Sequence, residues 1–140
     1  MRIKQLSIFV ENKTGRLHTI VDALREKDIN LRALSIADTT DFGILRLIVS
    51  DAEKAKAALA EIGVISKVTD VIAVMIDDRT GGLASVLDTV SDTGLAIEYM
   101  YAFLAKDTGR AMMVLKADDD TAAERILTEK GIELVSQMDI

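Results

Sequence analysis

The 140-residue sequence contains no cysteine and a single histidine, His18. These absences exclude a disulfide framework, a thiolate metal site, a thiol nucleophile and a multi-histidine metal site. The sequence also contains no GxSxG elbow and no phosphate-binding glycine motif followed by Lys and Ser or Thr. Because a nucleophile and its base cannot be assembled from spacing alone, we expect no catalysis, no cofactor and no metal.

Long apolar runs and a positive face are missing as well. The longest apolar runs, 44–49 and 71–76, are too short to cross a bilayer, and the N-terminus lacks the pattern of a signal peptide. We therefore expect a soluble, cytoplasmic protein without a membrane partner. The formal net charge is -6 with the basic residues spread along the chain, which argues against a nucleic-acid partner because phosphate neutralisation requires a positive face.

The sequence instead contains an internal repeat. Residues 11–21, ENKTGRLHTIV, align with residues 77–87, DDRTGGLASVL, at an offset of 66 positions. The same offset aligns Gly43 with Gly109, and after one or two extra residues in the second copy Gly63 aligns with Gly131. The repeat thus covers nearly the whole chain, and no proline- or glycine-rich linker separates the copies. We therefore predict two small domains, 1–68 and 69–140, docked against each other.

Each copy shows the same succession of apolar periodicities. Alternation predicts the strands, and apolar residues at i, i+3, i+4 and i+7 predict a helix that begins after Gly15 and ends near Asp28. A second helix is predicted to end at Gly63, where a left-handed residue is easily supplied. The first copy has predicted strands at 6–10, 29–37, 44–49 and 64–68, with a tight turn at 38–43. The second copy has predicted strands at 70–77, 95–105, 109–117 and 132–136, with helices over 83–90 and 119–130.

The order βαββαβ, present twice, indicates an α+β fold of two ferredoxin-like units in tandem. In this split βαβ arrangement, an antiparallel sheet carries both helices on one face. The strand 95–105 is apolar on both sides. We expect Ile97, Tyr99, Tyr101 and Phe103 on one side and Met100, Ala102 and Leu104 on the other. Helices cover only one side, so the other is expected to meet a second sheet of the tandem, a second chain in a homodimer, or a ligand.

The sequence resembles the ACT domain, a small ligand-binding regulatory module of amino-acid metabolism. The resemblance covers both halves and rests on the βαββαβ order and on the first loop of each copy. In that loop the family typically has Asn or Asp, a variable residue, Pro-Gly, and an apolar residue two positions later. The matching residues are Asn12, Thr14, Gly15, Arg16 and Leu17 in the first copy and Asp78, Thr80, Gly81, Gly82 and Leu83 in the second. Both copies depart from the family pattern by having Thr in place of Pro.

The composition of these loops has a physical interpretation without the family. A glycine before a helix lets the backbone approach a bound group closely, and the free amides of the first turn favour an anion such as a carboxylate. Asn12 is then placed to bond a second group of the same ligand. The alternative is a plain turn in which Thr14 or Thr80 caps the helix.

The resemblance implies an amino-acid ligand where two domains lie side by side, with the first loop of one facing the start of the second strand of the other. Asn30 stands at that strand start in the first copy, as in serine-sensing members of the family, and Ala96 stands there in the second. Pairing within the chain would place Asn12 opposite Ala96 and Asp78 opposite Asn30, and a carboxylate is the better partner for an ammonium group. Pairing of first copies across a homodimer would instead join Asn12 to Asn30.

Other polar residues are expected to have structural roles. We expect His18 to face solvent and the run 118–120 of three aspartates to form a helix N-terminus rather than a metal cluster. Lys13, Arg16 and Arg79 flank the loops and either steer an anionic ligand or are solvated.

The function that the sequence favours is the binding of a small molecule, an L-amino acid, to control a separate enzyme or transporter. The alternatives are a scaffold protein that binds no small molecule and a small enzyme that depends on Asp78 or His18.

Overall fold

The structure is a computed structural model that describes residues 1–38, 41–104 and 109–140. The described part contains six strands, four α-helices and a C-terminal 3-10 helix. In chain order they are β1 (Ile3–Glu11), α1 (Arg16–Glu26), β2 (Leu31–Asp38), β3 (Phe42–Val49), α2 (Ala52–Glu61), β4 (Ser66–Asp77), α3 (Gly82–Val90), β5 (Ile97–Ala102), β6 (Arg110–Ala117), α4 (Asp120–Glu129) and the 3-10 helix Gln137–Asp139. Thr39 and Thr40 of the predicted turn, and Ala105 at the end of a predicted strand, lie outside the described residues.

The chain divides into two compact units. The N-terminal unit comprises Lys4–Thr69 with Ile140, and the C-terminal unit comprises Asp70–Asp139 with Met1–Ile3. The division falls inside β4. The prediction of separate strands over 64–68 and 70–77 was therefore wrong: they form one strand, because the residues between them include no glycine or proline that would end it.

The N-terminal unit is a sheet with the order β2-β3-β1 and two helices. Both strand pairs are antiparallel, as shown by Leu6 opposite Leu47 and Ser35 opposite Arg46. Alternate residues of β1 point to one face and form a buried core with α1 and α2, to which Ile20 and Leu59 contribute. The predicted helix end at Gly63 is confirmed by its φ of 76°.

The C-terminal unit repeats this arrangement with the order β4-β6-β5. Its core joins the sheet to α3 and α4. The predicted strand 132–136 was wrong, because only an isolated antiparallel bridge joins Leu134 to Val74. The chain leaves the sheet where Ser136 donates its N–H to Asp139 Oδ2 at 3.3 Å and the 3-10 helix begins. The α+β prediction of tandem ferredoxin-like βαββαβ units is confirmed.

A bulge in β5 changes which side chains share a face. Ile97 lies opposite Ala117 and Tyr99 opposite Lys116, so two steps along β5 correspond to one step along β6. Ile97 consequently packs into the helix-covered core. The expectation that Ile97 shares a face with Tyr99 and Tyr101 was wrong, whereas those two rings do lie together with centroids 6.4 Å apart.

Candidate functional site

The loops that follow β1 and β4 have the same backbone conformation. Gly15 and Gly81 are the N-cap residues of α1 and α3, with φ of 85° and 84°. Side chains with a Cβ rarely adopt this left-handed region. No described atom lies within 4 Å of a Cβ built on either glycine, so the space beside each one is open. The repeated glycine is thus explained by backbone conformation and not by crowding.

The four helices begin in two different ways. Asp51 caps α2 by accepting Lys54 N–H at 3.0 Å, and Asp119 caps α4 by accepting Ala122 N–H at 3.0 Å. Within the described residues, no side chain caps α1 or α3. The alternative in which Thr14 or Thr80 caps the helix is therefore wrong, because the left-handed glycine occupies the N-cap position. Arg16 and Gly82 donate their N–H groups to the carbonyl oxygens of Lys13 and Arg79, at 3.3 and 3.0 Å. Within the described residues, the amides of the next two residues of each helix are left available to an anion.

A side-chain hydroxyl donates a hydrogen bond to the carbonyl oxygen of each glycine. Thr19 donates to the carbonyl oxygen of Gly15 at 2.9 Å, and Ser85 donates to that of Gly81 at 3.0 Å. Neither hydroxyl was predicted to have this role, although the two residues align in the repeat. These bonds fix the orientation of the peptide group at which each helix starts.

The loop cations differ in their pairing. Lys13 pairs with Glu11 at 2.9 Å and Arg79 pairs with Asp77 at 3.4 Å, so this ion pair also repeats. The hydrogen bond and the charge of Lys13 lower the pKa of Glu11. Arg16 is half-buried, and its Nε has no hydrogen-bond partner among the described residues. This unpartnered nitrogen distinguishes Arg16 from Lys13 and Arg79, which form ion pairs.

A cleft of 230 Å³ lies beside the first loop. It is lined by Asn12 and Leu17, by the charged residues Glu11, Lys13 and Asp38, and by Val10, Ile36 and Gly43. Thr14, Gly15 and Arg16 belong to the same loop, between Asn12 and Leu17. Of the predicted residues of the first loop, Asn12 and Leu17 line this cleft, whereas Thr14, Gly15 and Arg16 do not.

The second loop is built more tightly. A Cβ on Gly82 would lie 2.1 Å from the carbonyl oxygen of Asp77, so the first turn of α3 rests directly on the end of β4. Leu83 is 37% exposed, as is Leu17 in the first loop. Asp78 is exposed and lines a different and larger cavity of the C-terminal unit.

Ser50, which was not predicted to have a role, forms hydrogen bonds with the residue that precedes β2. Asn30 donates its N–H to Ser50 Oγ at 3.1 Å and accepts Ser50 N–H at 3.0 Å. Ala96 forms the same pair of bonds with Asp118, both at 3.0 Å. The Asn30 side chain is exposed, and it is not among the described residues that line the cleft beside Asn12. Its pairing with Asp78 stays a prediction.

Other predicted polar residues have structural positions. The run of three aspartates forms the N-terminus of α4, as expected, with Asp118 and Asp120 accepting the amides of Ala96 and Ala117. His18 is exposed on α1. In the part of the chain that the structure describes, no three acidic or histidine side chains are grouped to hold a metal ion. No described helix is long and apolar enough to span a membrane.

Comparison with known protein families gives a match that spans both copies of the repeat. The model of the family described as "ACT domain pair" matches residues 1–140. The chain belongs to the ACT domain pair family. ACT domains are regulatory modules known for binding small molecules such as amino acids, and they are typically non-catalytic. No match was found among curated proteins.

This ACT domain pair is similar to several proteins of known structure. A protein from Bacteroides thetaiotaomicron is 42% identical, with a TM-score of 0.91 over 99% of this chain and 95% of that one. The ligand-free regulatory subunit of aspartate kinase from Thermus thermophilus is 18% identical, with a TM-score of 0.63 over 90% of each chain. The regulatory subunit of aspartate kinase from Thermus flavus is 22% identical, with a TM-score of 0.58 over 90% of each chain. The two Thermus proteins share the fold.

Proposed function

We propose that this ACT domain pair binds an L-amino acid at its glycine loops and thereby regulates a separate enzyme or transporter. The observation that carries the proposal is the contrast among the four helices. Two begin with a capping aspartate, and the two that follow the repeated loops begin with a left-handed glycine and available amides. Binding a carboxylate there would satisfy these amides as the aspartates satisfy those of α2 and α4.

The first loop is suited to the carboxylate end of an amino acid. Arg16 is the first residue of α1 and adds a positive charge near its amides. Asn12, which lines the cleft with Glu11, Lys13 and Asp38, can both donate and accept a hydrogen bond. The cleft of 230 Å³ favours a small ligand. A bulky aromatic amino acid would have to displace Leu17 or Ile36, so we expect preference for small side chains.

The second loop has a different charge. Gly82 stands where the first loop has Arg16, and Asp78 stands where it has Asn12. A carboxylate at this position repels an anion and attracts an ammonium group. We therefore expect the two loops to differ in affinity for the same amino acid, with the first loop the stronger carboxylate site.

A homodimer is part of this proposal. Phe9 and Ile44 lie opposite each other on the face of the N-terminal unit that α1 and α2 do not cover, and the Phe9 side chain is 79% exposed. Ala37, opposite Ile44 on the next strand, continues this row. An exposed apolar row on a sheet face is typical of an interface. The same row supports the alternative of an interaction protein if no ligand binds.

The decisive experiment is a thermal-unfolding screen against each of the twenty L-amino acids. A ligand that binds only the folded protein stabilises it by about 2.7 kcal/mol at a hundredfold excess over Kd. We expect a shift with one or a few related small amino acids. The absence of any shift at millimolar concentration would contradict the proposal and favour an interaction protein.

Two glycine pairs provide matched variants for that screen. Gly15→Ala and Gly63→Ala both place a methyl group at a positive φ, 85° and 76°, with no described atom within 4 Å. Both should destabilise the protein by a similar strain, about 1 kcal/mol. Only Gly15→Ala should also weaken the ligand shift. Gly81→Ala with Gly131→Ala tests the second loop in the same way, and Asn12→Ala, Asp78→Ala and Asn30→Ala test the contacting side chains.

A further inference from the structure

The larger cavity of the C-terminal unit shares Asp78 with the second glycine loop, and its other lining residues lie outside both loops. Its volume is 520 Å³, within the range of about 300–1,000 Å³ typical of small-molecule pockets. It opens on the sheet face opposite α3 and α4, because its lining methionines alternate along their strands with residues of the helix-covered core. A binding site here would be additional to the function proposed above.

The floor of this cavity is a single row across the sheet. Met75 on β4 lies directly opposite Met112 on β6, and Phe103 donates its N–H to the Met112 carbonyl oxygen at 2.9 Å. Phe103 is only 8% exposed. Thioether side chains are flexible and polarisable, so two of them beside an aromatic ring form an apolar surface that adapts to different ligand bodies.

One wall is formed by the segment after α4. Met75 donates its N–H to Glu133 O at 2.9 Å, and Val135 donates to Ala73 O at 2.8 Å. These bonds place Val135, which is 3% exposed, beside the methionine row. Since backbone bonds hold this wall, the cavity does not depend on a side-chain conformation alone.

The rim of the cavity carries an excess of negative charge. Its described charged residues are three carboxylates, of Asp78, Glu133 and Asp139, and one guanidinium, of Arg110. Arg110 already forms an ion pair with Glu133 at 2.6 Å. An anionic ligand would have to compete with Glu133 for this cation, whereas the carboxylates of Asp78 and Asp139 attract a cation.

We propose that this cavity binds a small organic cation with an apolar body, such as a primary alkylammonium ion. The apolar body would lie on Met75, Met112 and Phe103, and the ammonium group would lie at the rim near Asp139 and Asp78. The carboxylates at the rim and the apolar floor thus favour the same orientation of the bound cation. A ligand without a carboxylate has no group for the helix amides of the glycine loops, so the two sites can be tested separately.

The test uses hexylammonium as the probe and the methionine methyl groups as reporters. In protein labelled with carbon-13 at the methionine methyls, titration should shift the signals of Met75 and Met112. Met100 and Met113 pack in the helix-covered core of the same unit and should not shift. Butylammonium, which lacks two methylenes, should bind about sixteenfold more weakly, since each buried methylene is worth about a fourfold change. Hexanoate, matched in chain length, should bind much more weakly than hexylammonium.

A pair of carboxylate variants tests the rim. Asp139→Asn should weaken hexylammonium binding about two- to fivefold at low salt, as expected for one partly exposed charge. Asp88→Asn removes an exposed carboxylate of α3 that does not line the cavity and should leave binding unchanged. Equal binding of hexanoate, equal shifts at all four methionines, or no shift at Met75 and Met112 would overturn the proposal. None of these results depends on whether an amino acid binds the glycine loops.

Discussion

Gly82 lies so close to Asp77 that a Cβ on Gly82 would stand 2.1 Å from the Asp77 carbonyl oxygen. Contact with a backbone atom cannot be relieved by rotating a side chain. The first loop has no such restriction, because the larger Arg16 occupies the corresponding position. Two loops with the same glycine conformation are therefore packed differently against their strands.

Gly82→Ala should consequently destabilise the protein by about 2 kcal/mol or more, the scale of overpacking in a close-packed region. Gly43→Ala is the control, because its nearest backbone contact would be an ordinary 3.5 Å and its φ is not positive. Urea unfolding of both variants measures the difference. A Gly82→Ala protein as stable as Gly43→Ala would show that α3 can shift away from β4 at little cost.

Removal of the aspartate caps should be costly, and removal of the loop threonines should not. Asp51→Ala and Asp119→Ala each lose a bond to a helix amide and should lower the unfolding free energy by about 1 kcal/mol. Thr14→Ala and Thr80→Ala remove no cap and should change it by less than about 0.5 kcal/mol. Chemical denaturation of the four variants provides the measurement. A loss of 1 kcal/mol in either threonine variant would restore the capping interpretation.

Local patterns of the sequence predicted much of this fold. Apolar stripes and glycines located the helices, because Gly63 and the loop glycines act on the backbone at their own positions. The bulge beside Ile97 was not predictable in this way, because strand register is set by the partner strand. The same reason explains the wrong prediction of a strand at 132–136. Within that segment, Leu134 is the only described residue that forms a bridge with β4.

The candidate site was predicted only where the repeat made it visible. Gly15 and Gly81 attract attention because they recur, and each is the left-handed N-cap residue of its helix. Their role in binding stays a prediction. Other contacts join residues that are far apart in sequence. Examples are the hydrogen bonds between Ser50 and Asn30 and the pairing of Met75 with Met112. Only a strand pairing, which tertiary packing decides, brings them together.

Stability should fall in acid partly through Glu124. The N-terminal ammonium group donates a hydrogen bond to this carboxylate, and Arg2 Nε donates another at 3.0 Å. These bonds lower the pKa of Glu124 below its ordinary value of 4.5, despite a smaller opposing effect of burial. A carboxyl group whose pKa is lowered by folding stabilises the folded state above the unfolded pKa and loses that contribution as the pH falls through the folded pKa.

Glu124→Gln should therefore be less stable than the parent protein at pH 7, by less than about 1 kcal/mol because the pair is partly exposed. The difference should shrink as the pH falls through the lowered pKa of the folded carboxyl group, because the parent side chain then becomes protonated as well. Glu129→Gln, which affects a more exposed pair with Arg125, is the control and should show little change at pH 7 or at lower pH. A Glu124→Gln deficit that persists unchanged in acid would assign the effect to packing rather than to charge.

Self-association should depend on Phe9, because its side chain is 79% exposed while it lies in a row with Ile44. A side chain with so little burial contributes little to folding, so Phe9→Thr, which keeps a residue favourable to strands, should leave unfolding of the monomer nearly unchanged. The loss of an aromatic side chain from an interface should weaken a dimer about tenfold or more. Ile65→Thr removes a side chain that is 90% exposed between α2 and β4, and it should not affect the dimer. Sedimentation equilibrium over a range of concentrations measures both constants, and equal association of the two variants would exclude the Phe9 row as the interface.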